Sequence, residues 1–226
     1  LDLLCLRSLS VVQECEQLER ERGVPLDLSR LDLEDRAVYA ALQRADTIGA
    51  SQVESRAQQQ SVVRTRPENF VDLMAQVAII RPGPIVGGMV DAYYRRRAGV
   101  EPVRYLHPKL EPILRSTSGV ILYQEQVLLC VSALTGCTAG EADVFRRAMG
   151  SHRSREAMAK LRPWFLQRAV ANGVQLRVAA AAYAQIAGFA SYGFCKSHAA
   201  ALARLANETL YLKRYHPEAF TAALLN

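Results

Sequence analysis

The chain has 226 residues, half of them apolar, enough to bury a large core in one big domain or two modest ones. A net charge of +6 and a pI near 9.2 favour an anionic partner over a cationic one. No apolar run approaches the roughly 18 residues that span a bilayer, no secretory leader is seen, and five cysteines without a CxxC pair read as reduced thiols, so a cytoplasmic protein with no membrane partner is expected.

The elements read as helix after helix. Residues 9–22 carry Leu9, Val12, Cys15 and Leu18 at helical spacing and end at Gly23 and Pro25. Asp32-x-x-Asp35 is expected to cap a helix running to about Arg44, and Ser51-x-x-Glu54 reads as a capping box for the next. Pro67 fits the first turn of a helix whose Phe70, Leu73, Met74 and Val77 share a face, and that helix must stop at "RPGP". A Tyr- and Arg-rich helix then runs to Gly99, and "LHPKLEPIL" reads as a short helix between loops. "GVILYQEQVLLCVSALTG" has a β-branched start, yet its length suits a buried helix ending at Gly136. Thr138-x-x-Glu141 is a third capping box, and helices are expected at about 139–149, 154–171 (kinked at Pro163), 176–187, 199–214 and 217–225. The fold class is mainly α. The opening without Met and the apolar ending "EAFTAALLN" suggest a piece of a larger protein.

Two clusters carry possible chemistry. "FRRAMGSHRSREAMAKLRP", residues 145–163, sets six Lys or Arg against one acid, Glu156, where a solvated helix face would mix the signs. Arg146 and Arg147 point about 100° apart on a helix and are not expected to share one ion-pair partner; Asp143 is placed to pair with Arg147. Arg146, Arg153, Arg155, Lys160 and Arg162 have little acid nearby, and guanidinium forks suit phosphate oxygens. The second cluster, "FASYGFCKSHAAA", leads into Lys196, Ser197 and His198 at a helix N-terminus, where backbone N–H groups favour anions. The plainer alternative makes Ser197 the N-cap and His198 a half-buried surface residue. No GxxxxGK[ST], GxGxxG, HExxH or GxSxG occurs, and acids such as Asp2, Asp91 and Glu125 are scattered.

Read in order, "LDLLCLRSL", "DTIGASQVESR", "VAIIRPGPIVGGMVDAYYRRR", "GVILYQEQV", "GEADVFRRAMG", "FASYGFCKSH" and "YLKRYHPEAF" resemble the motifs of bacterial C-family DNA polymerases, the alpha subunit of DNA polymerase III and its error-prone relative. The resemblance covers nearly the whole chain. It implies that residues 1–10 end the palm, with a short β segment bearing a catalytic, metal-binding aspartate at Asp2, and that 11–226 are a helical fingers domain. It further implies that Arg146, Arg147, Lys196 and His198 meet the incoming deoxynucleoside triphosphate and that Arg153 and Arg155 follow template-primer DNA. Mg²⁺ is the implied cofactor. A sliding clamp and other replication subunits would dock through regions absent from this chain. "AYYRRRAG" and "RSREAM" resemble the error-prone branch and Lys196 the replicative one, so the branch stays open. The alternative function is a non-enzymatic basic helical module that binds nucleic-acid backbone. Gln124 and Glu125 are expected simply to bond to neighbouring backbone.

Overall fold

The computed structural model describes residues 6–80, 89–150, 154–189 and 194–226. Within them the chain is mainly α, as its periodicity requires. The helices are α1 (Arg7–Glu21), α2 (Arg36–Gln43), α3 (Arg56–Thr65), α4 (Phe70–Ile79), α5 (Met89–Arg97), α6 (Glu111–Leu114), α7 (Gln124–Thr135), α8 (Ala139–Met149), α9 (Ser154–Ala171), α10 (Leu176–Phe189), α11 (Lys196–Tyr215) and α12 (Pro217–Leu225). Among the described residues the only β pairing is a single parallel bridge between Tyr123 and Phe194. The β segment expected around Asp2, and the "RPGP" stop after α4, lie outside the described residues.

Two compact units divide the chain: Leu1–Val77 with Ala199–Asn226, and Ala78–His198. In the first, α1 packs on α12 over a core of Val11, Val12, Cys15, Leu212 and Phe220. The buried face of α1 is turned from the expected one: Leu9 is exposed, while Val11 and Glu19 are buried. Glu19 is tolerated there because His216 Nδ1 lies 3.3 Å from its carboxylate and Arg22 3.7 Å away. A buried amide network joins α3 to α4. Ser61 and Thr65 donate to Gln76 Oε1, at 3.1 and 2.7 Å, and Gln76 Nε2 donates to Gln58.

Local chemistry corrects two expected helix starts. Asp35 does cap α2, accepting from Ala37 and Val38 N–H. The Ser51/Glu54 box does not form: α3 starts later, capped by Ser55, and Glu54 instead accepts from Gly49 N–H. Pro67 precedes α4 and is not part of it; Asn69 Oδ1 takes the Asp72 N–H at 2.9 Å.

In the second unit, α7 to α10 surround Val127, Val131, Leu134, Phe145, Phe165, Tyr183 and Phe189. Phe145, Phe165 and Tyr183 follow one another at centroid spacings of 6.2 and 5.1 Å, with Trp164 5.8 Å from Phe145. Helix α9 is continuous with Pro163 inside it. Helix α7 ends as expected at Gly136, whose φ of 67° suits glycine, and a Cβ there would press Asn172 Oδ1 at 3.2 Å. Asn172 Nδ2 caps the α7 carbonyls, donating to Leu134 O at 2.9 Å.

Candidate nucleotide and nucleic-acid interface

Helix α8 presents the arginine pair. Thr138 and Glu141 form the expected capping box, and Glu141 also pairs with Arg168 Nη2 at 2.6 Å. The Thr138 hydrogen bonds, and then Arg168, hold the Glu141 carboxyl below its usual range. Ala142, Phe145, Ala148 and Met149 face the core, so the intervening Asp143, Arg146 and Arg147 are turned outward.

The two arginines do share a partner, contrary to the expectation. Arg146 Nε donates to Asp143 Oδ1 at 2.7 Å, and Arg147 Nε lies 3.3 Å from Asp143 Oδ2. A carboxylate has two oxygens, and long side chains three and four residues on converge on it despite their angular separation. The hydrogen bond from Arg146 holds Asp143 below the usual carboxylate range and raises Arg146 in turn. Both guanidinium groups stay largely in solvent, with side chains 49% and 66% exposed. Arg155, Lys160 and Arg162 of α9 are exposed as well. Arg153 lies outside the described residues.

The Lys196 turn is built differently. Tyr123 bridges Phe194, Gln124 N–H donates to Phe194 O at 2.9 Å, and the Glu125 carboxylate receives the Lys196 N–H at 2.9 and 3.1 Å. The N-terminus of α11 therefore already holds an anion, supplied from 71 residues away. Glu125 bonds to backbone as expected, but to a distant segment. Ser197 is inside the first turn and not its cap; its hydroxyl meets Cys195 Sγ at 2.9 Å. Lys196 and His198 are both exposed, with His198 edge-on to Phe194 at 5.1 Å.

Gln126 sets this platform. Buried to 4% exposure, its Oε1 accepts from Leu122 and Tyr123 N–H at 2.8 and 3.1 Å, while Nε2 donates to Thr117 Oγ1 and Ile113 O. Neither Gln126 nor the link between Glu125 and α11 was visible to pattern reading; the only signal was polar residues opening an apolar helix.

Among the described residues no hydrogen bond, ion pair or ring contact joins Arg146 or Arg147 to Lys196 or His198, although all four belong to one unit. No group of three or more His, Cys, Asp or Glu among them is placed to hold a metal, and Asp2 lies outside them. No helix among them is long and apolar enough to cross a membrane.

Fold and site define a basic, mainly α domain that turns arginines to solvent at a capped helix. Residues 8–173 match the bacterial DNA polymerase III alpha subunit finger domain, and the chain belongs to that family. It is 48% identical to the error-prone DNA polymerase of Mycolicibacterium paratuberculosis over 99% of this chain and 21% of that protein. The error-prone DNA polymerase of Symbiobacterium thermophilum is 45% identical over the whole chain and 20% of its own length. Error-prone DNA polymerase 2 of Agrobacterium fabrum is 43% identical, again over the whole chain and 21% of that protein. The chain thus spans about a fifth of the length of these relatives.

Proposed function

We propose that this chain supplies the end of the palm, residues 1–10, and the fingers, residues 11–226, of a template-directed DNA polymerase of the error-prone branch. The observation that carries the reading is 48% identity over almost the entire chain to a protein of that name. In it, Arg146 and Arg147 bind and orient the triphosphate of the incoming deoxynucleotide. Their exposed pairing with Asp143 is worth little in a high-dielectric setting, so a polyanion with more charge displaces that single carboxylate. Fixed cations there neutralise charge building on the departing pyrophosphate. Lys196 and His198 flank the same nucleotide from the turn that Glu125 fixes, and Arg153 and Arg155 hold template-primer backbone.

Mg²⁺ is proposed as the ion, with Asp2 one of its ligands. The described residues do not by themselves furnish a magnesium site.

Single-nucleotide primer extension by the full-length polypeptide carrying this chain tests the reading. The unaltered protein extends the primer, and Asp2→Asn loses the chemical step while keeping DNA affinity. If Asp2→Asn incorporates at the normal rate, the palm assignment fails. DNA binding without any extension leaves only the backbone-binding module.

A further inference from the structure

Three arginines from separate elements line a cleft that neither turn explains. Arg96 of α5, Arg104 in the following loop and Arg177 in the first turn of α10 surround about 510 Å³, with Tyr105 and Gln185 beside them. A second cleft of about 420 Å³ shares Arg96, Gly119 and Gln185 with it. Among the described residues no acid lines either one.

Two of the three arginines close no ion pair: Arg104 and Arg177 are exposed and make no hydrogen bond or ion pair among the described residues. Arg177 also opposes the dipole of its own helix, whose first turn has no acid to compensate. Arg96 is set rigidly: its side chain is 16% exposed, and it donates to Glu101 at 3.1 Å and to Ser118 O at 3.1 Å. Gly119, at φ +75°, closes the loop against it, and a Cβ there would lie 3.0 Å from Arg96 Nη1. Part of its guanidinium fork is left over for a ligand.

We propose that this cleft is a binding track for the backbone of single-stranded DNA. The inference rests on the polymerase reading for its biological setting and on the cleft for its chemistry. Guanidinium forks match phosphodiester oxygens. The half-buried Tyr105 offers a ring edge or face to a base, the pairing of cation and aromatic that single-strand sites use. Two clefts with a common wall exceed what one small anion fills, and they suit successive nucleotides.

The test uses the full-length polypeptide, with fluorescence anisotropy on a labelled single-stranded oligonucleotide of about 16 nucleotides. Two exposed side chains are changed together, Arg104→Ala and Arg177→Ala, and a Lys/Lys variant checks that charge is the cause. Between roughly 50 and 200 mM salt, the slope of log affinity against log salt falls by about 1.4 in the Ala/Ala protein, from about 0.7 per phosphate. Affinity for the single strand drops about tenfold at the low-salt end, and Lys/Lys retains the slope. The nucleotide concentration giving half-maximal incorporation is unchanged. Unaltered single-strand affinity and slope in Ala/Ala overturn the proposal. So does a raised nucleotide requirement without loss of DNA affinity, which marks a free-nucleotide site, and so does an equal loss on blunt duplex. Anisotropy reads the cleft without catalysis, so an absence of primer extension by the unaltered protein counts against the polymerase reading alone.

Discussion

At Arg146 and at the Lys196 turn alike, the protein sets a carboxylate of its own against positive charge. At the first, Asp143 pairs through exposed side chains on the same helix. At the second, Glu125 reaches across 71 residues to backbone N–H and is held by a platform that includes the buried Gln126. The first arrangement gives up little desolvation or order when Asp143 lets go, as the proposed triphosphate site requires. The second is a structural joint, since a vacated helix N-terminus would leave backbone donors without partners. A run of basic residues and a helix start can thus look alike in sequence and differ in whether they are available.

The contrast breaks most visibly at Gln126. Gln126→Ala leaves the Leu122 and Tyr123 N–H groups buried without acceptors, at about 2–4 kcal/mol, and urea unfolding should show this as a lower midpoint. Glu125→Ala removes the cap of α11 and should cost about 0.5–2 kcal/mol, with Glu125→Gln losing less because one acceptor oxygen remains. Asp143→Asn, by contrast, should leave the unfolding midpoint in place. Its carboxyl is held low, so whatever the pair adds is present above the ordinary carboxylate range and fades as pH falls through the depressed value. The smallest effect concerns the thiols. Burial pushes Cys15 to about 11 and Cys130 to about 12, so at pH 8 both are almost wholly protonated and slow to alkylate. Mass spectrometry of iodoacetamide-treated native protein should find the half-buried Cys195 modified ahead of either. Equal labelling of all three would mean that both units open easily.

Much of the fold was legible because its signals are local. Thr138 with Glu141, Gly136 after an apolar run, and the 3.6-residue spacing of Leu73, Met74 and Val77 each act within one or two turns. The misses came where an equally good local signal competed. Ser51 and Glu54 satisfy the capping pattern, yet Ser55 sits nearer the residues that bury, and Ser51 N–H goes to Thr209 Oγ1 instead. For the site, residue type alone pointed to the arginines, but whether two of them could share Asp143 depended on side-chain reach, which helical angles do not report. The bond from Glu125 to Lys196 depends on tertiary placement, and no spacing rule covers 71 residues.

The claim that the arginine pair is the exchangeable anion site is tested most directly by single-nucleotide incorporation against nucleotide concentration, at fixed salt, with the full-length polypeptide carrying Arg146→Ala or Arg147→Ala. Each variant should weaken nucleotide use about tenfold to a hundredfold. The loss should be equal for all four nucleotides, because a phosphate contact carries no base information. Unchanged nucleotide dependence in both variants, with DNA affinity alone reduced, would contradict the account and make the α8 surface a backbone-binding face.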